Sequence, residues 1–271
     1  MKIMVGWLSL VASLTAVNAQ AETLDILGPV PELRHGLIQG YMYGEPPLNS
    51  VLFVPAPPAE DSARQRADTA ASDDLRSLEG SARWELAARD ADLHFPAAAS
   101  IFSCALDVAV TEASTPALYR LLQRSLTDFG LATYAAKNAY QRPRPFMING
   151  EAICTPKDEE LLRTDGSYPS GHSAIGWGWA LILSQLVPER AEPILARGRD
   201  YAQSRMVCNV HWMSDTEAGM AVGAAAFARL QNNALFQATM TAARAELLSP
   251  NAARPDGKSC VQEAALLAPQ G

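Results

Sequence analysis

The sequence predicts an all-α protein: a single-domain helical bundle with an extended, proline-rich N-terminal arm. Beyond residue 74 the chain is rich in Ala, Leu, Glu, Gln and Arg and has few alternating, strand-like runs. Residues 174–187 and 218–230 are apolar nearly all round, as expected of helices in the middle of a bundle. A chain of 271 residues with 48% hydrophobic content can bury one large core.

The first residues have the pattern of a secretory signal peptide. Lys2 precedes an apolar run over residues 3–17, and small residues follow at Ala19 and Ala21. This run is shorter than the roughly 20 residues that cross a bilayer, and no later segment is long enough either. We therefore expect residues 1–21 to be removed after Ala19 or Ala21. The mature protein should be periplasmic and not inserted in the membrane.

The rest of the chain is predicted as an arm followed by helices. Residues 22–74 contain many prolines and little helical periodicity, which predicts the extended arm, and residues 75–271 should form the helical domain. Within this part of the chain the composition and punctuation predict helices over residues 81–92, 97–112, 116–141, 173–187, 188–206, 214–231 and 234–248.

Charge and cysteine content exclude several classes of function. A formal net charge of −7 argues against a general nucleic-acid binder, so any bound anion must be held by a local basic cluster. Cys208 and His211 have the spacing of half a zinc site, but no second such pair exists among four histidines, and we expect no metal. Export favours disulfides, although spacing alone leaves all three pairings of the four cysteines open.

The first of three chemically unusual segments presents cations. Lys137 is followed, after six residues, by Arg144. Pro143 and Pro145 disfavour helical geometry, so the segment should be a helix end that turns into an extended strap with fixed positive charges. Arg142 lies in the same strap, but we interpret it as a solvated side chain outside the site.

The second segment, Gly-Ser-Tyr-Pro-Ser-Gly-His over residues 166–172, leads directly into an apolar helix. The turn before such a helix leaves backbone N–H groups free at the positive end of the helix dipole, where anions bind. Ser170 adds a hydroxyl donor, although it could also be a simple helix cap. Gly171 lets the backbone approach a ligand closely.

The third segment contains Arg205, His211 and Asp215. If His211 and Asp215 lie on one helix, their spacing of four places them on one face. The carboxylate can then bond one imidazole nitrogen and leave the other free as a nucleophile. Together with His172, the three segments supply the cations, nucleophile and proton donor that phosphoryl transfer requires, without a metal or cofactor.

These segments resemble the class A bacterial non-specific acid phosphatases. That group is a branch of the type 2 phosphatidic acid phosphatase superfamily, which also contains vanadium haloperoxidases. The family pattern is a lysine, six residues and Arg-Pro, then Pro-Ser-Gly-His, then Ser-Arg, five residues, His, three residues and Asp. This sequence matches every fixed position, with Lys137, Arg144, Pro145, Pro169, Ser170, Gly171, His172, Ser204, Arg205, His211 and Asp215.

The resemblance implies an all-α acid phosphatase that hydrolyses small phosphate monoesters with broad specificity through a phosphohistidine. It implies His211 as the nucleophile, Asp215 as its orienting partner and His172 as the acid. Phosphate would be bound by Lys137, Arg144, Ser170, Gly171, Arg205 and the amide of His172. It further implies disulfides pairing Cys154 with Cys208 and Cys104 with Cys260, and self-association as a dimer or larger homo-oligomer.

Three alternatives share this constellation of residues. The same anion cradle could hold vanadate in a haloperoxidase, or bind phosphate without turnover. The same intermediate could also serve a phosphotransferase. The preferred monoester, cleavage of di- or triphosphates and the order of the oligomer stay open.

Overall fold

The computed structural model describes residues 25–34, 36–249 and 252–268, so the predicted signal peptide lies outside the described residues. Within them the protein is helical apart from one short antiparallel pair, which confirms the predicted fold class. The pair consists of β1 (Glu32–Arg34) and β2 (Leu37–Ile38), with Glu32 opposite Ile38 and Arg34 opposite Leu37.

The helices follow in this order along the described chain: α1 (Ala63–Arg76), α2 (Ala82–Asp90), α3 (Ser103–Leu106), α4 (Pro116–Leu131), α5 (Tyr134–Tyr140), α6 (Pro145–Asn149), α7 (Glu159–Thr164), α8 (Gly171–Leu186), α9 (Ala191–Val207), α10 (Met213–Leu230), α11 (Ala234–Leu247) and α12 (Gly257–Leu267). Short 3-10 turns lie at Ser50–Leu52, Ala97–Ser100, Pro156–Asp158 and Pro188–Arg190.

Helix α8 lies at the centre of the bundle, packed between α9, α10 and α4. Its Trp179 is fully buried and donates its indole N–H to the carbonyl of Leu122 at 3.1 Å. Helix α10 approaches α8 closely at Gly219, where an added Cβ would overlap the carbonyl of Ser170. This close approach brings the start of α8 next to the start of α10, and both ends carry residues of the predicted site.

The extended arm is shorter than predicted, because α1 begins at Ala63 instead of the chain remaining extended to Asp74. Ser62 caps α1, and its hydroxyl accepts the backbone N–H of Gln65 at 3.0 Å. The many alanines after the last proline form a helix once this cap is in place. The arm proper therefore ends at Ser62.

The predicted helix over residues 116–141 is interrupted by a contact from the arm. Helix α4 ends at Leu131 and α5 begins at Tyr134. Ser50 of the arm reaches this junction, where its hydroxyl donates to the carbonyl of Thr133 at 3.5 Å and accepts the N–H of Ala136 at 3.0 Å. The Ser50 hydroxyl thus takes up the N–H of Ala136, which in a continuous helix would bond the carbonyl four residues earlier.

The predicted helix over residues 97–112 does not form. The chain instead makes a 3-10 turn and the four-residue α3, which ends where Asp107 adopts the left-handed conformation with φ 61°. Ala109 then donates its N–H to the carbonyl of Ala253 at 2.8 Å, a contact far along the chain. The remaining predicted helices agree with the structure to within three residues at each end.

Both disulfides implied by the resemblance are present. Cys154 bonds to Cys208 with their Cα atoms 4.8 Å apart, and Cys104 bonds to Cys260 with a Cα distance of 5.3 Å. The second bridge ties α12 to α3. Among the described residues, no helix combines the length and the hydrophobicity needed to cross a bilayer.

Candidate active site

The strap between α5 and α6 has the predicted geometry. Helix α5 ends when Gln141 adopts the left-handed conformation with φ 43°, and α6 starts at Pro145. Lys137 in the last turn of α5 and Arg144 at the end of the strap both point inwards and are buried. The prolines therefore do what the sequence predicted, and they direct a cation toward the interior of the bundle.

Lys137 and Arg144 share the carboxylate of Asp165, which no sequence motif indicates. The Oδ2 atom of Asp165 lies 3.1 Å from the Nζ of Lys137 and 3.1 Å from an Nη atom of Arg144. Burial and, after it, the charge of Arg144 lower the pKa of Lys137 to about 8, against the opposing effect of Asp165. Lys137 is therefore a cation at neutral and acidic pH.

Arg205 is the cation with unused hydrogen-bonding capacity. Its guanidinium is buried, its Nε atom has no partner among the described residues, and its Nη1 lies 3.7 Å from the Sγ of Cys208. Burial lowers the pKa of Arg205 to about 10, which leaves it charged. A buried cation without an oxygen acceptor is costly unless an anion binds beside it.

The start of α8 supplies the predicted anion-binding turn. Ser170 is the N-cap, and its hydroxyl accepts the N–H of Ser173 at 3.2 Å. Gly171 and His172 are the first helical residues, so their N–H groups have no acceptor within the helix. The N–H of Ser170 donates to the carbonyl of Asp215 at 2.9 Å, which joins the second predicted segment to the third.

His211 and Asp215 are paired as predicted, although they do not share one helix. Helix α10 begins at Met213, so His211 precedes it and Asp215 lies in its first turn. The Nδ1 of His211 is 3.3 Å from one carboxylate oxygen of Asp215. The other ring nitrogen, Nε2, is 3.0 Å from the Nη1 of Arg144. Because the guanidinium can only donate, Nε2 carries the lone pair and Nδ1 carries the proton.

Both histidines are held in the neutral form. Burial lowers the pKa of His211 well below its ordinary value, and the charges of Arg144, Lys137 and Arg205 lower it further. Burial also lowers the pKa of His172, with Arg205 and His211 adding to the effect. His172 is partly exposed, and its Nε2 lies 3.0 Å from the carbonyl of Ala91 at the end of α2.

Comparison with known proteins places this architecture in a family. The family model described as the PAP2 superfamily matches residues 117–235. A non-specific acid phosphatase of Salmonella typhimurium is 41% identical over 215 residues, which cover 79% of this chain and 86% of that relative. An acid phosphatase of Zymomonas mobilis is 40% identical over 222 residues, covering 81% and 83% of the two chains. A non-specific acid phosphatase of Providencia stuartii is 41% identical over 207 residues, with coverages of 76% and 84%.

The chain belongs to the PAP2 superfamily, among its non-specific acid phosphatases. The family resemblance recognised from the three sequence segments is thereby confirmed.

In this PAP2 chain the interpretation of Arg142 as a solvated side chain is wrong. It is buried, and its guanidinium bonds the carboxylates of Asp215 at 2.6 Å and Asp68 at 2.7 Å. In the sequence Arg-Pro-Arg-Pro each arginine precedes a proline, which restricts both backbones in the same way. This pattern does not show that both side chains face inwards. The partner of Arg142 could have indicated its burial. That partner, Asp68, is a buried residue of α1, a helix that the sequence did not predict.

Proposed function

We propose that this chain hydrolyses phosphate monoesters with broad specificity through a covalent phosphohistidine on His211. The observation that carries the proposal is the buried, neutral imidazole of His211. Its Nδ1 faces a carboxylate and its Nε2 lies 3.0 Å from an Nη atom of Arg144, while the charges of Lys137 and Arg205 also lower the pKa of the ring. The names of the relatives support the phosphatase activity, since each is called an acid phosphatase.

The substrate phosphate would bind among the cations and the start of α8. The Nε atom of Arg205 is a donor without an acceptor among the described residues, and the N–H groups of Gly171 and His172 have no acceptor within the helix. Arg144 would exchange its bond to His211 for a bond to a phosphate oxygen. This exchange would free the Nε2 lone pair at the moment when the substrate is in place.

The first chemical step would transfer the phosphoryl group to His211. Nε2 attacks phosphorus, the bond from phosphorus to the ester oxygen breaks, and His172 donates its proton to that oxygen. The Nδ1 proton stays on the ring, whose positive charge faces Asp215. In the second step His172 takes a proton from water, the water oxygen bonds to phosphorus, and the phosphorus–nitrogen bond breaks to release inorganic phosphate.

Proton donation by His172 requires its cationic form, which the empty site disfavours. A bound phosphate would place negative charge beside the ring and oppose the charge of Arg205, which raises the pKa of His172. Mildly acidic solution would increase the protonated fraction further. Because His172 must be protonated to donate, we expect an acidic pH optimum.

Trapping the intermediate tests the proposal. Wild-type enzyme is mixed with a ³²P-labelled aryl phosphate, quenched in alkaline detergent because phosphoramidates hydrolyse in acid, and digested to map the label. We expect label on His211, and neither label nor turnover in His211→Ala. Label on another side chain, or near-wild-type turnover of p-nitrophenyl phosphate by His211→Ala, would refute it.

The same preparation separates the alternatives. Phosphate binding without turnover in the wild type would indicate a non-catalytic binding protein. Oxidation of bromide with added vanadate and peroxide would indicate a haloperoxidase. Transfer of label to an added alcohol would show phosphotransferase activity through the proposed intermediate. Turnover should persist in excess EDTA, because the proposed steps use side chains alone.

We further propose export to the periplasm and self-association. The signal-peptide pattern of residues 1–21 and the two disulfides support export. Exposed apolar side chains on the arm, at Tyr43, Leu52 and Phe53, support self-association. Cell fractionation with N-terminal sequencing tests the first proposal, and light scattering coupled to gel filtration tests the second. Cytoplasmic activity with an intact leader, or a monomer at micromolar concentration, would contradict them.

A further inference from the structure

We infer that Arg142, supported by Asp68, is a positioning residue that fixes the Asp215 carboxylate and thereby the orientation of the His211 ring. The inference rests on the proposed function of His211. Neither Arg142 nor Asp68 belongs to the family pattern matched by the sequence.

The contacts of Asp215 divide its two carboxylate oxygens between two tasks. One oxygen, Oδ1, accepts from Arg142 at 2.6 Å. The other, Oδ2, accepts the backbone N–H of Trp212 at 2.8 Å and faces the Nδ1 of His211 at 3.3 Å. If the carboxylate rotated, the bond to Arg142 would be lost in a buried environment, where an unpaired charge is costly. Arg142 therefore keeps Oδ2 directed at the histidine.

Arg142 is itself fixed from the opposite side by α1. Its second Nη atom donates to Asp68 at 2.7 Å and to the side-chain carbonyl of Gln65 at 2.6 Å. Asp68 also accepts the N–H of Ser214 at 2.8 Å, and its other oxygen accepts the Ser214 hydroxyl. The guanidinium is therefore held between α1 and the first turn of α10, next to the reactive imidazole.

The charge of this group suits the proposed intermediate. Two buried carboxylates, Asp68 and Asp215, share one guanidinium, which leaves an excess of one negative charge. A positive charge develops on the His211 ring when its Nε2 bonds to phosphorus. The Asp215 carboxylate favours this charged state over the neutral starting state only while Arg142 keeps its Oδ2 directed at Nδ1, so orientation decides the effect.

Arg142 should affect turnover and leave phosphate binding nearly unchanged. Its Nη atoms bond to Asp215, Ser214, Gln65 and Asp68, so the proposed phosphate contacts come from other residues. Loss of an outer group that orients a functional side chain typically lowers activity about 10–100-fold. We expect this loss in kcat for Arg142→Gln, with KM and the inhibition constant of inorganic phosphate within about threefold of wild type. Arg142→Lys should recover part of the loss, because it retains the charge.

A double-mutant cycle tests whether Arg142 acts through Asp215. If it does, adding Arg142→Gln to Asp215→Asn should cost much less than adding it to wild type. Asp68→Asn should lower kcat in the same way, and it too should have little effect in the Arg142→Gln background. Single-turnover labelling of His211 provides the rate even where steady-state turnover is low.

Asp128→Asn is the matched control for the change of a buried carboxyl group to an amide. Asp128 is buried, but its oxygens accept backbone N–H groups of the arm and not of the site. The Asp128→Asn variant should be less stable than wild type and keep its kcat. That result would show that destabilisation alone does not lower turnover. A raised KM with normal kcat for Arg142→Gln, or full additivity with Asp215→Asn, would overturn the inference. If His211→Ala still turned over substrate, the proposed function would fail instead.

Discussion

At the scale of single residues, Gly171 occupies a position where packing does not require glycine. An added Cβ would meet only the Oγ1 of Thr133, at an ordinary contact distance of 3.8 Å. Its φ angle is also outside the left-handed region, so an alanine could adopt this backbone conformation. The protein itself would therefore accept an alanine here, and we ascribe the glycine to close approach of the proposed phosphate.

Replacing Gly171 with alanine should separate stability from binding. We expect Gly171→Ala to unfold at the same or a slightly higher temperature, because alanine is the better helix former. Its inhibition constant for inorganic phosphate should rise about tenfold, which corresponds to about 1.4 kcal/mol of binding free energy. The matched control is Gly257→Ala, which places a methyl group in open space at the start of α12. An unchanged phosphate inhibition constant in Gly171→Ala would contradict a close ligand approach.

His172 should matter most for substrates whose alcohol leaves reluctantly. Without the proton donor, His172→Gln should lose about 10²–10⁴-fold in kcat/KM on alkyl phosphates, and much less on p-nitrophenyl phosphate. The measurement is kcat/KM across a series of leaving groups of graded pKa, at the pH optimum. Equal losses across the series would show that His172 does not protonate the leaving oxygen.

At the scale of helices and strands, the sequence predicted those elements whose pattern lies within one continuous stretch of the chain. The apolar α8 and α10 lie where their composition indicated, and the prolines on either side of Arg144 formed the strap. The break before α5 and the absence of a helix over residues 97–112 depend on Ser50 and on Ala253, which lie far away in the sequence. Such long-range bonds leave no trace in local periodicity.

The candidate site divides in the same way. The residues of the three segments could be predicted because their spacing is fixed along the chain. Asp165, Asp68 and Arg142 could not, because each is defined by a partner on another element. A charged residue on a helix or loop is usually solvated, so the sequence alone favours the wrong interpretation for a buried one.

A buried carboxylate of α4, that of Asp128, is among the groups that hold the N-terminal arm. Asp128 accepts the backbone N–H groups of Tyr41 and Met42 at 2.8 and 3.0 Å, one with each oxygen. Burial raises the pKa of Asp128 to about 6, although the two N–H groups and Arg124 oppose the shift. In the unfolded chain the group titrates near its ordinary value of 3.8. The folded form therefore binds a proton more tightly than the unfolded one.

This difference predicts how the stability contribution of Asp128 depends on pH. The contribution should be greatest below pH 4 and should decline as the pH rises through 6, because the charged form is the one that burial penalises. Asp128→Asn removes the titration, so the difference in unfolding free energy between wild type and variant should shrink from pH 4 to pH 7. The change should be about 1–3 kcal/mol by urea unfolding. Asp73→Asn, at an exposed position on α1, is the control. A difference independent of pH would refute the argument.

At the scale of the whole molecule, the two disulfides differ in their relation to the site. Cys104 and Cys260 are 156 residues apart in sequence, and their bridge ties the last helix to the bundle. Cys154 and Cys208 are separated by 54 residues. The sulfur of Cys208 also lies 3.7 Å from the Nη1 atom of Arg205. The bridge between Cys154 and Cys208 therefore supports a cation of the proposed phosphate site, whereas the bridge between Cys104 and Cys260 supports the overall fold.

Removing each bridge should reveal this division. Cys104→Ser with Cys260→Ser should lower the unfolding free energy by about 2–5 kcal/mol, because a long loop regains entropy when the bridge is lost. Its kcat and KM at 25 °C should stay near wild type. Cys154→Ser with Cys208→Ser should lose comparable stability and also raise the inhibition constant of phosphate, since Arg205 loses a fixed neighbour. Chemical denaturation and phosphate inhibition, measured on the same preparations, provide both quantities. If the two double variants shared one pattern, with phosphate affinity lost in both or kept in both, the bridges would have no separate functions.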